Sequence, residues 1–213
     1  MWRHRKEGES DKGPEFRLPP PRERGETSLE EAIARRRSVR RYRRESLSLS
    51  QLSQVLWAAQ GITSADGLRA APSAGATYPL EVYVFVGRDG VEGLEQGIYH
   101  YDVEDHSLSL HKGGDLRGQL SVAALDEEFI AQAPVDIVIC ALYERTSWRY
   151  GRRAERYVHM EVGHVGENIH LQAAALGLAV VMVGAFYDEE VSRVMGLEKE
   201  VKPLYIIPLG KPR

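Results

Sequence analysis

Apolar residues recur at three- and four-residue steps in three parts of the chain, which predicts three helices. Ser28 and Ser48 each stand three residues before a Glu or Gln, the capping-box pattern that opens a helix. The first helix is expected to end near Arg37, and Gly61 is a suitable C-cap for the second. The third pattern runs over residues 152–176 and predicts a central helix of about 25 residues, the longest element of the fold.

Alternating or continuous apolar runs predict the strands. In the run from Leu80 to Gly87 the valines alternate with Tyr83 and Phe85, so both faces of this strand should be buried. A hairpin is expected over residues 97–111. Three further buried strands are expected at residues 135–142, 180–183 and 204–209, and Asp115, Asp126 and Asp188 are expected to cap short helices. Helices followed by strands and then by an alternation of the two predict an α+β layered domain.

Composition says little about the fold but indicates the class of protein and its cellular compartment. The chain has 213 residues, of which 43% are hydrophobic and 28% charged, as in ordinary globular proteins. Its single cysteine, Cys140, excludes an internal disulfide, and the N-terminus lacks the apolar stretch of a signal peptide. We therefore expect a cytoplasmic protein. Residues 1–26 are polar and proline-rich, which predicts a flexible arm ahead of a single domain at residues 27–213.

The sequence supports neither a metal site nor a nucleotide-binding motif. The predicted central helix carries two Glu-x-x-His pairs, Glu161 with His164 and Glu167 with His170. A shift of six residues rotates one pair about 240° from the other, so they do not share a metal ion, and no metal site is expected. The glycines after the Leu80 strand lack dinucleotide-binding spacing, and no Walker lysine motif is present.

An arginine segment, residues 35–42, is the strongest charge feature of a chain whose net charge is −3. Seven of the ten residues from Arg35 to Arg44 are arginine. Guanidinium groups beside the Ser38 hydroxyl suit a phosphate, while a solvated charged face is the simplest alternative. Nucleic acid, membrane lipid and cofactor phosphate are all anionic partners to consider. Tyr42 and Trp57 are too few to stack bases, so a small phosphorylated ligand fits best, and neither nucleic acid nor membrane is expected.

A small-residue loop, residues 72–76, leads into the Leu80 strand. Loops of Ser, Ala and Gly let a flat ligand approach the backbone closely, and a rigid strand behind the loop holds it in place. An ordinary loop-to-strand connection explains the same residues, and the residues alone favour that interpretation somewhat.

Three segments taken together resemble a known family: RRRSVRRY at 35–42, APSAGATYPLEVYVF at 71–85 and GLAVVMVGAF at 177–186. The chain is similar to the nitroreductase family of flavin enzymes, specifically to its SagB-type dehydrogenase branch, over roughly residues 28–212. The resemblance implies an α+β three-layer sandwich with a mostly antiparallel central sheet flanked by helices. It also implies a homodimer with two FMN molecules at the subunit interface.

The resemblance assigns residues to this cofactor. The FMN phosphate, ribityl chain and pyrimidine edge would be held by Arg36, Arg37, Ser38 and Arg40, with Lys211 and Arg213 completing the phosphate site. The ring-facing residues from the other subunit would be Pro72, Ser73, Ala74, Gly75 and Ala76. Ala76 stands where many relatives have asparagine, so one hydrogen bond to the ring is lost. Val183, Gly184 and Ala185 match the segment whose backbone N–H points at flavin N5, and Gly184 replaces a glutamate.

Three functions are consistent with these sequence features. The first is an FMN oxidoreductase that moves hydride from NAD(P)H through N5 to a small organic acceptor. The second is oxidation of azolines in a modified peptide, with a cyclodehydratase partner, and it ranks lower because Arg149 stands where the SagB-type enzymes have lysine. Arginine stays protonated, which leaves Tyr150 as the candidate acid or base there, with surface packing as its alternative role. The third is a non-enzymatic anion-binding protein.

Overall fold

The computed structural model describes residues 15–213, and within them the strands form one antiparallel sheet of seven. The strand order is β1-β4-β3-β2-β5-β7-β6. The bounds are β1 Glu15–Arg17, β2 Leu80–Val86, β3 Gly97–Asp102, β4 Ser107–Gly113, β5 Val135–Leu142, β6 Ala179–Val180 and β7 Val201–Gly210. The expected hairpin is β3 paired with β4, with a register shift between Ile98 and Tyr99.

Helices cover both faces of this sheet. Their bounds are α1 Leu29–Arg35, α2 Leu49–Gln60, α3 Arg117–Ala123, α4 Glu128–Gln132, α5 Glu144–Tyr150, α6 Ala154–Ala175 and α7 Asp188–Met195. Both predicted capping boxes are present: the Ser28 and Ser48 side chains accept the N–H groups of Glu31 and Gln51, each at 3.2 Å.

The two faces of β2 separate two hydrophobic cores, as the sequence predicts. Val82, Val84 and Val86 pack in the core that contains the apolar residues of α2 and α6. Tyr83 and Phe85 pack in a second core together with residues of α3, α4 and α7. The fold is therefore the expected α+β three-layer sandwich.

Helix α6 is the longest element, as predicted, with 22 residues where the sequence predicted about 25. Val158, Val162, Val165 and Ile169 pack against the first core. At 1.5 Å per residue the helix is about 33 Å long, so it runs past several separate parts of the molecule. None of the helices that the structure describes has the length and apolarity to cross a membrane.

The segment before α1 lies partly against the domain. Residues 1–14 of the predicted arm lie outside the described residues. Glu15–Arg17 pairs with β4, Leu18 is buried, and the Ser53 hydroxyl donates to the Pro19 carbonyl at 2.5 Å. The domain boundary at residue 27 stays a prediction.

Several local predictions were wrong. The N-caps of α3 and α4 are Leu116 and Glu127, not Asp115 and Asp126, although the Asp115 carboxylate accepts the Arg117 N–H at 3.3 Å. Asp188 does not cap a helix: Tyr187 is the N-cap of α7, and Asp188 lies inside the first turn, where a negative charge favours the helix dipole. The strand predicted over residues 180–183 is Ala179–Val180, followed by a single bridge between Val183 and Ile206. Helix α5 was not predicted, because it buries only Thr146 and so lacks an apolar stripe.

Candidate functional site

The arginine segment lies between two other parts of the chain. Ser38 pairs in parallel with Val180, and the Val39 N–H donates to the Val180 carbonyl at 3.0 Å. On the other side, Tyr42 forms an antiparallel bridge with Pro212. The Arg43 N–H donates to the Lys211 carbonyl at 2.9 Å, and the Arg213 N–H donates to the Arg41 carbonyl at 3.2 Å. Backbone pairing thus joins the arginine segment to the strand before Gly184 and to the C-terminal tail, residues 211–213.

The basic side chains in this region differ in whether they already contact other groups of the protein. Arg37 folds back and donates to the carbonyls of Ala34 and Arg36, at 3.1 and 2.6 Å. The guanidinium carbon of Arg40 lies 5.9 Å from the centre of the Phe129 ring. Lys211 forms an ion pair with Glu45 at 3.2 Å. The guanidinium groups of Arg36 and Arg40, in contrast, have no ion-pair partner within residues 15–213.

His170, near the end of α6, anchors the same segment. Its Nε2 lies 3.1 Å from the Arg37 carbonyl, so Nε2 carries the proton and donates. Burial is the main cause that lowers the pKa of His170, and the bond to Arg37 opposes it. His170 is thus a buried, hydrogen-bonded imidazole. His164 is exposed, and His159 bonds the Tyr143 hydroxyl at 2.7 Å.

The segment Val183 to Ala185 leaves the sheet at a point that is open to solvent. Val183 exchanges backbone hydrogen bonds with Ile206 at 2.9 and 3.0 Å, while Gly184 and Ala185 are exposed. The N–H groups of these last two residues have no acceptor within the described part of the chain. A Cβ on Gly184 would lie 3.4 Å from the nearest atom of the Tyr205 ring, so the backbone here packs against that ring. Tyr205 was not identified from the sequence, because its contact with Gly184 depends on tertiary packing.

Several hydrogen bonds fix the small-residue loop and the residues that follow it. The Ser73 hydroxyl accepts the Tyr78 N–H at 3.0 Å, and the hydroxyls of Thr77 and Thr146 lie 2.8 Å apart. Arg145 donates to the Tyr78 carbonyl at 3.1 Å. Gly75 has φ +60°, a conformation that glycine adopts without strain. Pro72, Gly75 and Ala76 nevertheless remain exposed, so the loop is both fixed and accessible.

Two side chains of α5 cover this loop. A Cβ added to Gly75 would lie 2.6 Å from the Tyr150 hydroxyl and 2.9 Å from Nη1 of Arg149. Arg149 also donates to the Gly75 carbonyl at 3.3 Å. The Tyr150 ring packs edge-on against Tyr157, with centroids 5.0 Å apart. The structure therefore brings Tyr150 to the small-residue loop, and a side chain at position 75 would clash with it.

Glu161 lies beneath the loop and was not identified from the sequence as a site residue. Its side chain is on α6, is 2% exposed, and has one oxygen without a hydrogen-bond partner in residues 15–213. Burial raises the pKa of this carboxyl to about 7, although the Ser73 hydroxyl and the Arg69 charge favour its ionised form. The carboxyl therefore changes protonation near neutral pH.

The predicted site residues thus fall into two groups along α6. His170 contacts the arginine segment, and Glu161 contacts the small-residue loop. Nine residues of helix separate these two contacts by about 14 Å. Within residues 15–213, no hydrogen bond or ion pair joins residues 72–76 to residues 36–40.

Comparison with known proteins agrees with this architecture. Residues 33–211 match the sequence profile of the nitroreductase family. A protein of Methanocaldococcus jannaschii named as a candidate nitroreductase is 48% identical over 186 residues, covering 87% of this chain and 92% of that protein. A crystal structure of a candidate nitroreductase from Ralstonia eutropha JMP134 superposes with a TM-score of 0.82 at 30% identity, covering 93% of this chain and 90% of that chain.

A more distant relative has a different role. The microcin B17-processing protein McbC of Escherichia coli is 28% identical over 139 residues, covering 63% of this chain and 51% of that protein. The family match extends over most of the chain, and the fold agrees with it. The chain therefore belongs to the nitroreductase family of oxidoreductases.

Proposed function

We propose that the protein is an FMN-dependent oxidoreductase that takes hydride from NAD(P)H and passes reducing equivalents to a small organic acceptor. The observation that carries this proposal is the backbone pairing of the arginine segment with Val180 and with the C-terminal tail. It brings guanidinium, ammonium and hydroxyl donors to the strand that leads to the exposed backbone of Gly184, and a flavin phosphate and ring would need such donors. Bound FMN would supply the hydride-transfer chemistry, and the protein would supply position and electrostatics.

The donors in this region fit such a ligand because several of them are unused. The hydroxyl of Ser38 and the N–H groups of Gly184 and Ala185 have no hydrogen-bond partner in the described chain. Buried donors are normally satisfied, whereas exposed donors beside a ligand site are available to it. Arg36, Ser38, Lys211 and Arg213 would hold the phosphate.

Arg40 would act on the reduced cofactor. A cation at the pyrimidine edge stabilises the negative charge that develops there, as preorganised donors do in other active sites. Arg40→Ala should therefore weaken FMN binding about tenfold, the cost of one charged hydrogen bond, and should make the flavin harder to reduce. FMN titration and a spectroelectrochemical potential measure the two effects.

Arg44→Ala is the matched control, since Arg44 is an exposed arginine close to the same segment. Equal FMN affinity and equal potential in the Arg40 variant and the wild type would remove Arg40 from the site.

The small-residue loop would serve the flavin of a partner subunit, so we propose a homodimer with FMN at its interface. Two observations support this arrangement: the separation of the two residue groups along α6, and the exposure of Leu29 and Ile33 on α1, at 62% and 55%. Apolar side chains exposed to this degree are typical of subunit interfaces when they cluster.

The function is tested by the absorption spectrum of the purified protein, with NADH and NADPH added in turn under anaerobic conditions. A flavin spectrum that either nucleotide bleaches is expected. A colourless protein that binds no added FMN would refute the proposal and leave an anion-binding protein as the better interpretation.

A second candidate function is the oxidation of an azoline in a modified peptide, in which the ring loses two hydrogens and becomes an azole. The McbC relative and the position of Tyr150 over the small-residue loop favour it. Arg149 argues against it, because a guanidinium does not release a proton at neutral pH. Incubation with an azoline-containing peptide, followed by mass spectrometry, distinguishes the two functions.

A further inference from the structure

The chain from the end of α5 to the first turn of α6 carries a concentration of unpaired positive charge. Residues 149–156 contain four arginines and a single acid, Glu155. None of the four forms an ion pair with a described residue, whereas Arg145, just before them, is paired with Glu81. Unpaired, exposed arginines of one sign create a local field that attracts anions.

One of these arginines lies directly on the small-residue loop. Arg149 donates to the Gly75 carbonyl at 3.3 Å, and its guanidinium carbon lies 5.6 Å from the Tyr150 ring centre. A single bond to a backbone carbonyl leaves most of the five guanidinium N–H donors free. Trp148, the preceding residue, is 76% exposed. A charged fork and a large aromatic surface therefore flank the loop that would face the flavin ring.

We propose that Arg149 is a specificity residue that binds a carboxylate or phosphate group of the electron acceptor. Arg152, Arg153 and Arg156 would add attraction over a longer range. The inference rests on the proposed function. If the small-residue loop faces a flavin, an acceptor that reaches the flavin ring lies close to Arg149. Arginine suits this role because its planar fork pairs with both oxygens of a carboxylate or phosphate at once.

The test compares two acceptors of the same shape, 4-nitrobenzoate and its neutral analogue 4-nitrobenzamide. Arg149→Gln should lower kcat/KM for the benzoate about tenfold more than for the benzamide, which corresponds to the loss of one charged hydrogen bond. Arg149→Lys should keep part of the preference because it keeps the charge. Added salt should reduce the preference of the wild type.

Arg88→Gln is the matched control. Arg88 is also exposed, but it lies two residues past the end of β2, whereas the small-residue loop lies before the start of this strand. A strand of seven residues therefore separates the two positions. The control should leave the ratio of the two acceptors as in the wild type.

Calorimetric binding of 4-nitrobenzoate to the purified protein gives a readout that does not depend on turnover. Weaker benzoate binding in Arg149→Gln supports the site even if the protein proves not to be an oxidoreductase. Equal losses for the two acceptors, or no loss, would overturn the inference. An equal rise in the KM for NAD(P)H with both acceptors would also overturn it, because Arg149 would then bind the nucleotide phosphates.

Discussion

The Glu161 carboxyl is buried beneath the small-residue loop, and its protonation links folding to pH. Burial raises its pKa in the folded protein from the ordinary value of 4.5 to about 7, so between these values the folded state keeps its proton while the unfolded state loses it. Stability should therefore fall as pH rises from about 4.5 to 7 and stay level above that. The accumulated loss is about 3 kcal/mol.

Glu161→Gln should remove this loss, because glutamine fills the same space without ionising. Urea unfolding should show the variant to be more stable than the wild type at pH 8, with the difference shrinking towards pH 5. Other buried groups such as His170 titrate in both proteins and cancel in the comparison. Glu155→Gln, an exposed change on the same helix, is the control. A difference between Glu161→Gln and the wild type that is the same at both pH values would contradict the assignment.

Among individual residues, the sequence predicted those that belong to a local motif. The arginines beside Ser38 and the glycine of the small-residue loop carry their chemistry in their own side chains or backbone. Glu161 and Tyr205 do not, because each matters only through contacts with segments far away in the chain. No local pattern distinguishes a buried glutamate on a helix from an exposed one.

Among the elements, α2 depends on its capping box. The Ser48 side chain accepts the Gln51 N–H, and most of the helix behind it is buried. Ser48→Ala should cost about 1 kcal/mol in the free energy of unfolding. Ser28→Ala removes the same motif from α1, but that helix has seven residues and only Ala32 is buried, so it can fray with a smaller loss.

Urea denaturation of the two variants measures this difference, with Ser50→Ala, an exposed serine in the first turn of α2, as the control. A larger loss for Ser28→Ala than for Ser48→Ala would show that α1 is tied to the global transition. Capping boxes and apolar stripes are local, which is why the sequence located α1, α2 and α6. Helix α5 was missed because its position is set by contacts such as Thr146 with Thr77, which its own sequence does not reveal.

For the whole molecule, the separation of the arginine segment from the small-residue loop leads to a test of the dimer. Arg36→Asp should prevent flavin retention, because it removes a phosphate contact and places a negative charge against the phosphate. Ala76→Phe should prevent it by blocking the ring. Position 76 is exposed, but its φ of +52° strains a bulky side chain, so circular dichroism must show that the variant is folded. Each variant alone should therefore be purified without flavin.

The two variants should complement each other if each site combines the arginine segment of one subunit with the loop of the other. In a mixed dimer, one site then receives both defects and the other receives neither. Co-expressed subunits with different tags, purified on both tags in turn, should carry one flavin per dimer and regain the corresponding NAD(P)H oxidation. If each site were built within one chain, every site in the mixed dimer would carry one defect and no flavin would be retained. Flavin content per dimer therefore decides between the two arrangements.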